Sequence, residues 1–144
     1  MSKIFLGGTC NNSNWRDELI PKLTQDYFNP VVKDWTPEDQ KEEIKQRESC
    51  DTVLYVITPL MTGVYSIAEV VDDSNKRPEK TVFYIKDKDG EQEFSKAQVK
   101  SLQQVGKMVA ENGGTWCTTY EELVNRLNKK PERSIKEIMN FLKK

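Results

Sequence analysis

The sequence contains no histidine, and this absence excludes several kinds of active site at once. Catalytic triads built on histidine, histidine acid/base pairs and most catalytic zinc centres all depend on an imidazole side chain. Any catalysis must therefore use carboxylates, tyrosine, lysine, cysteine, serine, threonine or backbone groups.

Cysteine and long apolar runs are also scarce. Cys10, Cys50 and Cys117 are far apart, odd in number and form no C-x-x-C pair, which is typical of reduced thiols rather than of a zinc or redox site. No window approaches the roughly 18 apolar residues of a membrane helix, and the apolar run at residues 4–6 is too short for a signal peptide. We therefore expect a cytoplasmic protein with no metal, no cofactor and no membrane partner.

Neither sign of charge is in excess. The 144 residues include 22 basic and 23 acidic side chains, for a formal net charge of -1. Such a chain has no overall field that would attract nucleic acid or an anionic membrane, so we expect no nucleic-acid partner. The length predicts one domain over residues 1–144, large enough to bury a substantial core.

Short apolar runs alternate with helical patterns along the chain, and this alternation is typical of βαβ units around a parallel sheet. The continuous, β-branched run Thr52–Ile57 predicts a central strand that is buried on both faces. We predict a single α/β domain, a flavodoxin/Rossmann-like three-layer sandwich with a mostly parallel five-stranded sheet. The predicted strands are 3–6, 27–32, 52–57, 80–85 and 115–117, and the predicted helices begin near residues 13, 37, 64, 96, 120 and 135.

Two Gly/Thr turns follow the first and third predicted strands. In a flavodoxin-like sheet the strand order reverses between these two strands, and ligands bind in the crevice at their carboxyl ends. Each turn leads into a helix N-terminus, which favours phosphate or sugar oxygens. The candidate ligand-binding residues are Gly7, Gly8, Thr9, Asn11 and Arg16 from the first turn, Thr62, Gly63, Tyr65 and Ser66 from the second, and Asp34 with Trp35 as a base-stacking position.

The residues of these turns resemble those of the nucleoside 2-deoxyribosyltransferase-like family. The similarity covers about residues 3–85 and is carried by Gly7-Gly8-Thr9, by Cys50-Asp51 before the third strand, and by the segment from Gly63 to Glu69. It implies that Glu69 is a nucleophile that attacks the anomeric carbon, expels the base and forms a glycosyl-enzyme intermediate. Counting eight residues back from Asp51 gives Glu43, which resembles the acid that handles the base; Asp51 is the third catalytic candidate.

The sequence departs from this family at two positions. Gly63 stands where the transferases carry an aspartate, and Phe5 or Leu6 stands where many carry a tyrosine. Two hypotheses therefore remain open. The first is an enzyme that acts on the N-glycosidic bond of a nucleoside or nucleotide, by deoxyribosyl transfer or hydrolysis. The second is a non-catalytic binder or sensor of a ligand similar to NAD or ADP-ribose; the resemblance also implies a homo-oligomer.

Each polar candidate also has a purely structural interpretation. Glu69 and Glu43 could be solvated helix residues, as most glutamates are, and Glu43 lies within a run of charged residues. Asp51 could simply lead its strand, and Arg16 could pair with Glu18. Arg16 and the first turn together would suit a 5'-phosphate, and this combination favours a nucleotide over a nucleoside.

Overall fold

The computed structural model describes residues 2–10, 12–129 and 142. Two of the sequence predictions fall outside this part of the chain. They are the ligand-binding role of Asn11 and the last helix, with its apolar residues Ile135, Ile138 and Met139.

Five parallel strands form the central sheet, in the order β2-β1-β3-β4-β7. This flavodoxin-like order confirms the predicted fold class. A separate antiparallel hairpin, β5 and β6, follows β4, and its Asp89 accepts a hydrogen bond from Ser13 in the loop after β1. The strands are β1 (Lys3–Gly8), β2 (Asp26–Phe28), β3 (Thr52–Ile57), β4 (Thr81–Ile85), β5 (Lys88–Asp89), β6 (Gln92–Glu93) and β7 (Thr115–Cys117).

The helices begin where the sequence carries capping residues. The Thr36 and Ser95 side chains each form a reciprocal capping box, and the Thr119 hydroxyl accepts a hydrogen bond from the backbone of Glu122. No helix in the described part of the chain is both long and apolar enough to cross a lipid bilayer. The helices are α1 (Trp15–Leu19), α2 (Pro37–Ser49), α3 (Tyr65–Lys76), α4 (Lys96–Glu111) and α5 (Tyr120–Asn128).

Helices cover both faces of the sheet and enclose two apolar clusters. All six residues of β3 are buried, as the sequence predicts for a central strand. On one face, Trp15 of α1 and Leu123 of α5 pack against alternate residues of β1 and β3. On the other face, Val70 of α3 and Val109 of α4 pack against the remaining ones. The two clusters give the three layers, and the polar helix α2 contributes only Arg47 to the buried part of the molecule.

The second strand is shorter than predicted. The apolar pattern predicts a strand over residues 27–32, whereas β2 ends at Phe28. Pro30 explains the difference, because it has no backbone N–H to donate to a sheet ladder. The residues after β2 instead form a loop, and that loop becomes one wall of the crevice described below.

Candidate functional site

The crevice lies at the carboxyl ends of β1 and β3, where the strand order of the sheet reverses. Its volume is about 350 Å³, within the range of small-molecule sites. Two turns, one loop and three helices contribute to its walls. The predicted site residues that line it are Gly7, Gly8, Thr9, Arg16, Trp35, Glu43, Thr62, Gly63, Tyr65, Ser66 and Glu69.

Three groups of lining residues were not predicted from the sequence. The loop after β2 contributes Pro30, Val31 and Val32, which the apolar pattern had assigned to a strand. Cys10 follows the first turn, and Met61 precedes the second. Pro30 is the sequence signal that could have ended β2 earlier and placed the first group in a loop.

The first turn approaches β3 so closely that only glycine fits. Gly8 has a φ of 117°, and an added Cβ would lie 2.0 Å from the carbonyl oxygen of Val56. The next residue, Thr9, then joins the two turns, because its Oγ1 accepts a hydrogen bond of 2.9 Å from the backbone N–H of Thr58. The floor of the crevice is therefore fixed by contacts between backbone and buried side chains.

Arg16 lines the crevice and also supports the first turn. Its guanidinium is buried and donates from Nε to the Leu6 carbonyl at 3.0 Å and from Nη1 to the Thr9 carbonyl at 2.7 Å. Nη2 lies 3.5 Å from the Gly8 carbonyl. Burial lowers the pKa of Arg16 below its ordinary value. These backbone carbonyls take three of the five guanidinium donors, and the phosphate contact of Arg16 stays a prediction.

Glu69 is a buried carboxylate at the wall of the crevice. It lies on α3 with 6% of its surface exposed, and its Oε2 is 3.2 Å from Nη1 of Arg47. This contact is an ion pair without hydrogen-bond geometry, and Oε2 has no other partner. Glu43 of α2 lies within hydrogen-bonding reach of Glu69. The crevice thus holds two adjacent carboxyl groups.

The surroundings of Glu69 disfavour its charged form. Burial raises the pKa of Glu69, the Arg47 cation opposes this, and the neighbouring Glu43 raises it further, to about 7.

A second carboxylate, Asp73, is completely buried behind Glu69. Its Oδ2 accepts hydrogen bonds from Nε of Arg47 at 3.2 Å and from the Tyr55 hydroxyl at 2.5 Å. Its Oδ1 accepts from Nη2 of Arg47 at 3.0 Å and from Arg77. We refer to Arg47, Asp73, Tyr55 and Arg77 as the buried ionic cluster. Since Arg47 contacts both Asp73 and Glu69, the cluster fixes the position of the crevice carboxylate.

The buried ionic cluster was not predicted, although the sequence contains a signal for it. Asp73 lies four residues after Glu69 on α3, and Arg47 lies four residues after Glu43 on α2. Residues at this spacing share one face of a helix. If Glu43 of α2 and Glu69 of α3 both face one crevice, then Arg47 and Asp73, each one turn further along its helix, are also expected to face each other.

Two of the predicted site residues do not reach the crevice. Asp51 lies at the amino end of β3, whereas the crevice lies at the carboxyl ends of the strands. Its Oδ2 accepts a hydrogen bond of 2.8 Å from the backbone N–H of Lys3. It leads its strand, in agreement with the structural interpretation. Asp34 is exposed in the loop before α2 and does not line the crevice, whereas the neighbouring Trp35 does.

The thiols and carboxylates do not form a metal centre in the part of the chain that the structure describes. No group of three or more histidine, cysteine, aspartate or glutamate side chains is placed there to hold a metal ion. Cys50 and Cys117 are buried, and burial raises the pKa of each thiol to about 11.

We expect the burial of Glu69 to make folding stability depend on pH. Its pKa is about 7 in the folded protein against 4.5 for a free side chain, so folding is unaffected below about pH 4.5 and loses stability as pH rises to about 7. Glu69→Gln removes this cost. Urea unfolding should give the variant about 2 kcal/mol more stability than wild type at pH 8 and nearly equal stability at pH 4.5. A difference that is the same at both pH values contradicts this expectation.

The fold and the crevice together define a flavodoxin-like α/β protein with a carboxylate pair at the point where its strand order reverses. This class agrees with the comparison of the sequence with family models. The model described as nucleoside 2-deoxyribosyltransferase like matches residues 1–88, more than half of the chain, and the protein belongs to this family. The matched part contains β1 to β4 and every residue that lines the crevice. A comparison with curated proteins gave no match.

Proposed function

We propose that the protein cleaves the N-glycosidic bond of a nucleoside, with Glu69 as the nucleophile. The observation that carries this proposal is the buried Glu69 carboxylate, which lines the crevice and is held by Arg47. The carboxylate attacks the anomeric carbon as the base departs, and a glycosyl ester forms. Water or a second base then attacks the same carbon and releases the carboxylate, so the configuration of the sugar is retained.

The contacts around Glu69 suit this role. Oε2, the oxygen that Arg47 contacts, is shut off from solvent, which leaves Oε1 to attack the sugar carbon. The buried ionic cluster fixes Arg47 through two hydrogen bonds to Asp73, so the nucleophile is positioned before the substrate binds. In the second step the carboxylate becomes the leaving group, and the Arg47 cation stabilises its returning charge.

The lining of the crevice supports a nucleoside rather than a nucleotide as the substrate. Among the described lining residues, Arg16 has the only cationic side chain, and it is bound to backbone carbonyls. A 5'-phosphate would therefore have to compete with these carbonyls for the one cation of the lining. Trp35 and Tyr65 offer exposed ring faces at the walls, on which a base can stack.

The alternative of a non-catalytic sensor for NAD or ADP-ribose has less support. A diphosphate needs cations or free backbone N–H groups. In the first turn the Thr9 N–H donates to the Val56 carbonyl, and Arg16 is largely occupied as described above, so a diphosphate would depend mainly on the uncapped N-terminus of α3. A buried carboxylate pair would also repel such a ligand, whereas it is useful for chemistry at a sugar carbon.

Trapping of the intermediate tests this proposal directly. Nucleosides with fluorine at C2' of the sugar form the ester but lose it slowly, because fluorine destabilises the oxocarbenium-like transition state. We expect intact-protein mass spectrometry to show one added fluoro-glycosyl group, located on the peptide that contains Glu69, and no adduct in Glu69→Gln. The assignment of the nucleophile would be falsified if the wild type released base without forming an adduct and Glu69→Gln released base at the same rate.

A Gly63→Asp substitution should improve cleavage of neutral bases. The family's transferases carry an aspartate at this position, and an added Cβ at Gly63 has no heavy atom within 4 Å, so the side chain fits without strain. The new carboxyl supplies a proton donor at the crevice, worth about 10²-fold for a leaving base that needs protonation. Rates of base release from 2'-deoxyinosine should rise in Gly63→Asp and not in the isosteric Gly63→Asn. Equal rates in the two variants would show that the carboxyl group supplies no proton there.

A further inference from the structure

We propose that the preferred substrates are nucleosides whose base carries a positive charge, such as an N-ribosyl pyridinium or an N7-alkylated purine nucleoside. This inference rests on the proposed function and specifies the substrate of the same crevice. It follows from the position of the second carboxyl group, from the remaining lining residues and from the exposed aromatic rings.

Glu43 is placed beside the nucleophile rather than across the sugar from it. In retaining glycosidases the acid that protonates the leaving group lies about 5–5.5 Å from the nucleophile, so that the sugar carbon fits between the two. Here Glu43 is within hydrogen-bonding reach of Glu69 itself. A base that leaves in line with the attacking oxygen departs on the far side of the ring. A carboxyl group in contact with the nucleophile leaves no room for the sugar carbon between the two, so Glu43 is poorly placed to protonate that base.

No other strong acid lines the crevice in the part of the chain that the structure describes. Besides the two glutamates, its ionisable lining residues are Cys10, Arg16 and Tyr65. Thiols and phenols are far weaker acids than carboxylic acids, and a guanidinium does not release its proton in proteins. A neutral purine or pyrimidine would therefore have to leave as an anion, which is costly. A cationic base has no such requirement.

The electron balance of the step fits a cationic base. As an oxygen of Glu69 bonds to C1', the C1'–N bond breaks and its electron pair neutralises the positive charge on the base. The base leaves as a neutral molecule, and no proton is transferred. Water then attacks C1', the ester bond to Glu69 breaks, the free sugar is formed and one proton passes to solvent.

The walls of the crevice suit recognition of the charge. Trp35 and Tyr65 are 58% and 65% exposed, so their ring faces are available to a ligand. A cation over such a face gains about 0.5–2 kcal/mol. The carboxyl groups of Glu43 and Glu69 also attract a positively charged base. Among the described lining residues the one cationic side chain, Arg16, is held by backbone carbonyls.

Matched substrate pairs test this inference at pH 8. Nicotinamide riboside is compared with its reduced form, which has an uncharged ring. The purine pair is 1,7-dimethylguanosine and 1-methylguanosine, because a methyl group at N1 prevents the proton loss that would neutralise an N7-alkylated guanosine at this pH. The 2'-deoxy purine pair is included because the sugar preference is part of the question. Free base is measured by chromatography, with rates without enzyme subtracted. We expect the cationic member of a pair to react at least about 100-fold faster, the contribution of the missing acid, and Glu69→Gln to abolish the reaction.

Each outcome has a distinct meaning. Neutral members that react as fast as the cationic ones overturn the inference, as does cleavage of 2'-deoxyinosine or thymidine with no cleavage of any cationic nucleoside; both results leave the proposed function intact. Absence of base release from every nucleoside, charged and neutral, overturns the inference and the proposed function together.

Discussion

Glu69→Gln is expected to lower kcat/KM for base release by about 10³-fold or more. Glutamine keeps the shape of the side chain but cannot form the glycosyl ester, and it has no charge to stabilise an oxocarbenium-like transition state. The loss of one preorganised electrostatic contact in a water-excluded site costs about 3–4 kcal/mol, which corresponds to this factor. The loss of the covalent route adds to it. Steady-state release of base from the best nucleoside of the panel measures the effect.

A matched variant separates this effect from a general loss of structure. Glu111→Gln makes the same chemical change at an exposed position at the end of α4, outside the crevice, and should keep the wild-type rate. Glu69→Gln should also stay folded, because it removes a buried charge rather than a packing contact. If the folded variant retains a rate within tenfold of wild type, Glu69 is not the nucleophile.

Asp73→Ala is expected to destabilise the protein by about 3–5 kcal/mol. The carboxylate has no exposed surface and accepts hydrogen bonds from Arg47, Tyr55 and Arg77, so its removal leaves buried donors on all three side chains without their acceptor. Burial alone would raise the pKa of Asp73, but these hydrogen bonds outweigh it and hold the pKa below its usual value. The stabilisation they provide is therefore present above the usual pKa of an aspartate and is lost at lower pH.

Two further variants grade this prediction. Asp72 is the neighbouring residue on α3, 46% exposed, and its contacts are Lys76 at 3.1 Å and Arg47 at 3.6 Å. Asp72→Ala should cost less than about 1 kcal/mol, as exposed ion pairs do. Tyr55→Phe removes one hydrogen bond to Asp73 and should cost about 1–2 kcal/mol. Chemical unfolding of the three variants at pH 7 gives the order, and equal losses for Asp72→Ala and Asp73→Ala would contradict a special role for the buried residue.

The parts of the fold that were predictable from the sequence depend on local signals. The apolar run of β3 required burial on both faces, and the capping residues Thr36, Ser95 and Thr119 marked helix starts whatever the tertiary structure. The position of the crevice followed from topology, because the turns after β1 and β3 meet wherever a parallel sheet reverses its strand order.

The remaining parts depend on contacts between segments that are distant in sequence. Arg16 reads as an exposed cation until the carbonyls of the first turn are known to surround it. Arg47 lies in a run of charged residues typical of a solvated helix, and only its pairing with Asp73, 26 residues away, buries it. Asp51 immediately precedes β3, and the crevice lies at the other end of this strand. Asp51 is therefore close to the crevice residues in sequence but a full strand length away from them in space.

The two outermost strands, β2 and β7, are three residues long, and this has a consequence for self-association. An exposed edge of a sheet is a template on which a second chain can add a strand, and long, regular edges are the ones that lead to aggregation. Here each edge offers too few regularly spaced donors and acceptors to hold a strand from another molecule. We therefore expect copies of this protein that associate to meet through side chains on helices and loops rather than by extending the sheet from one molecule to the next.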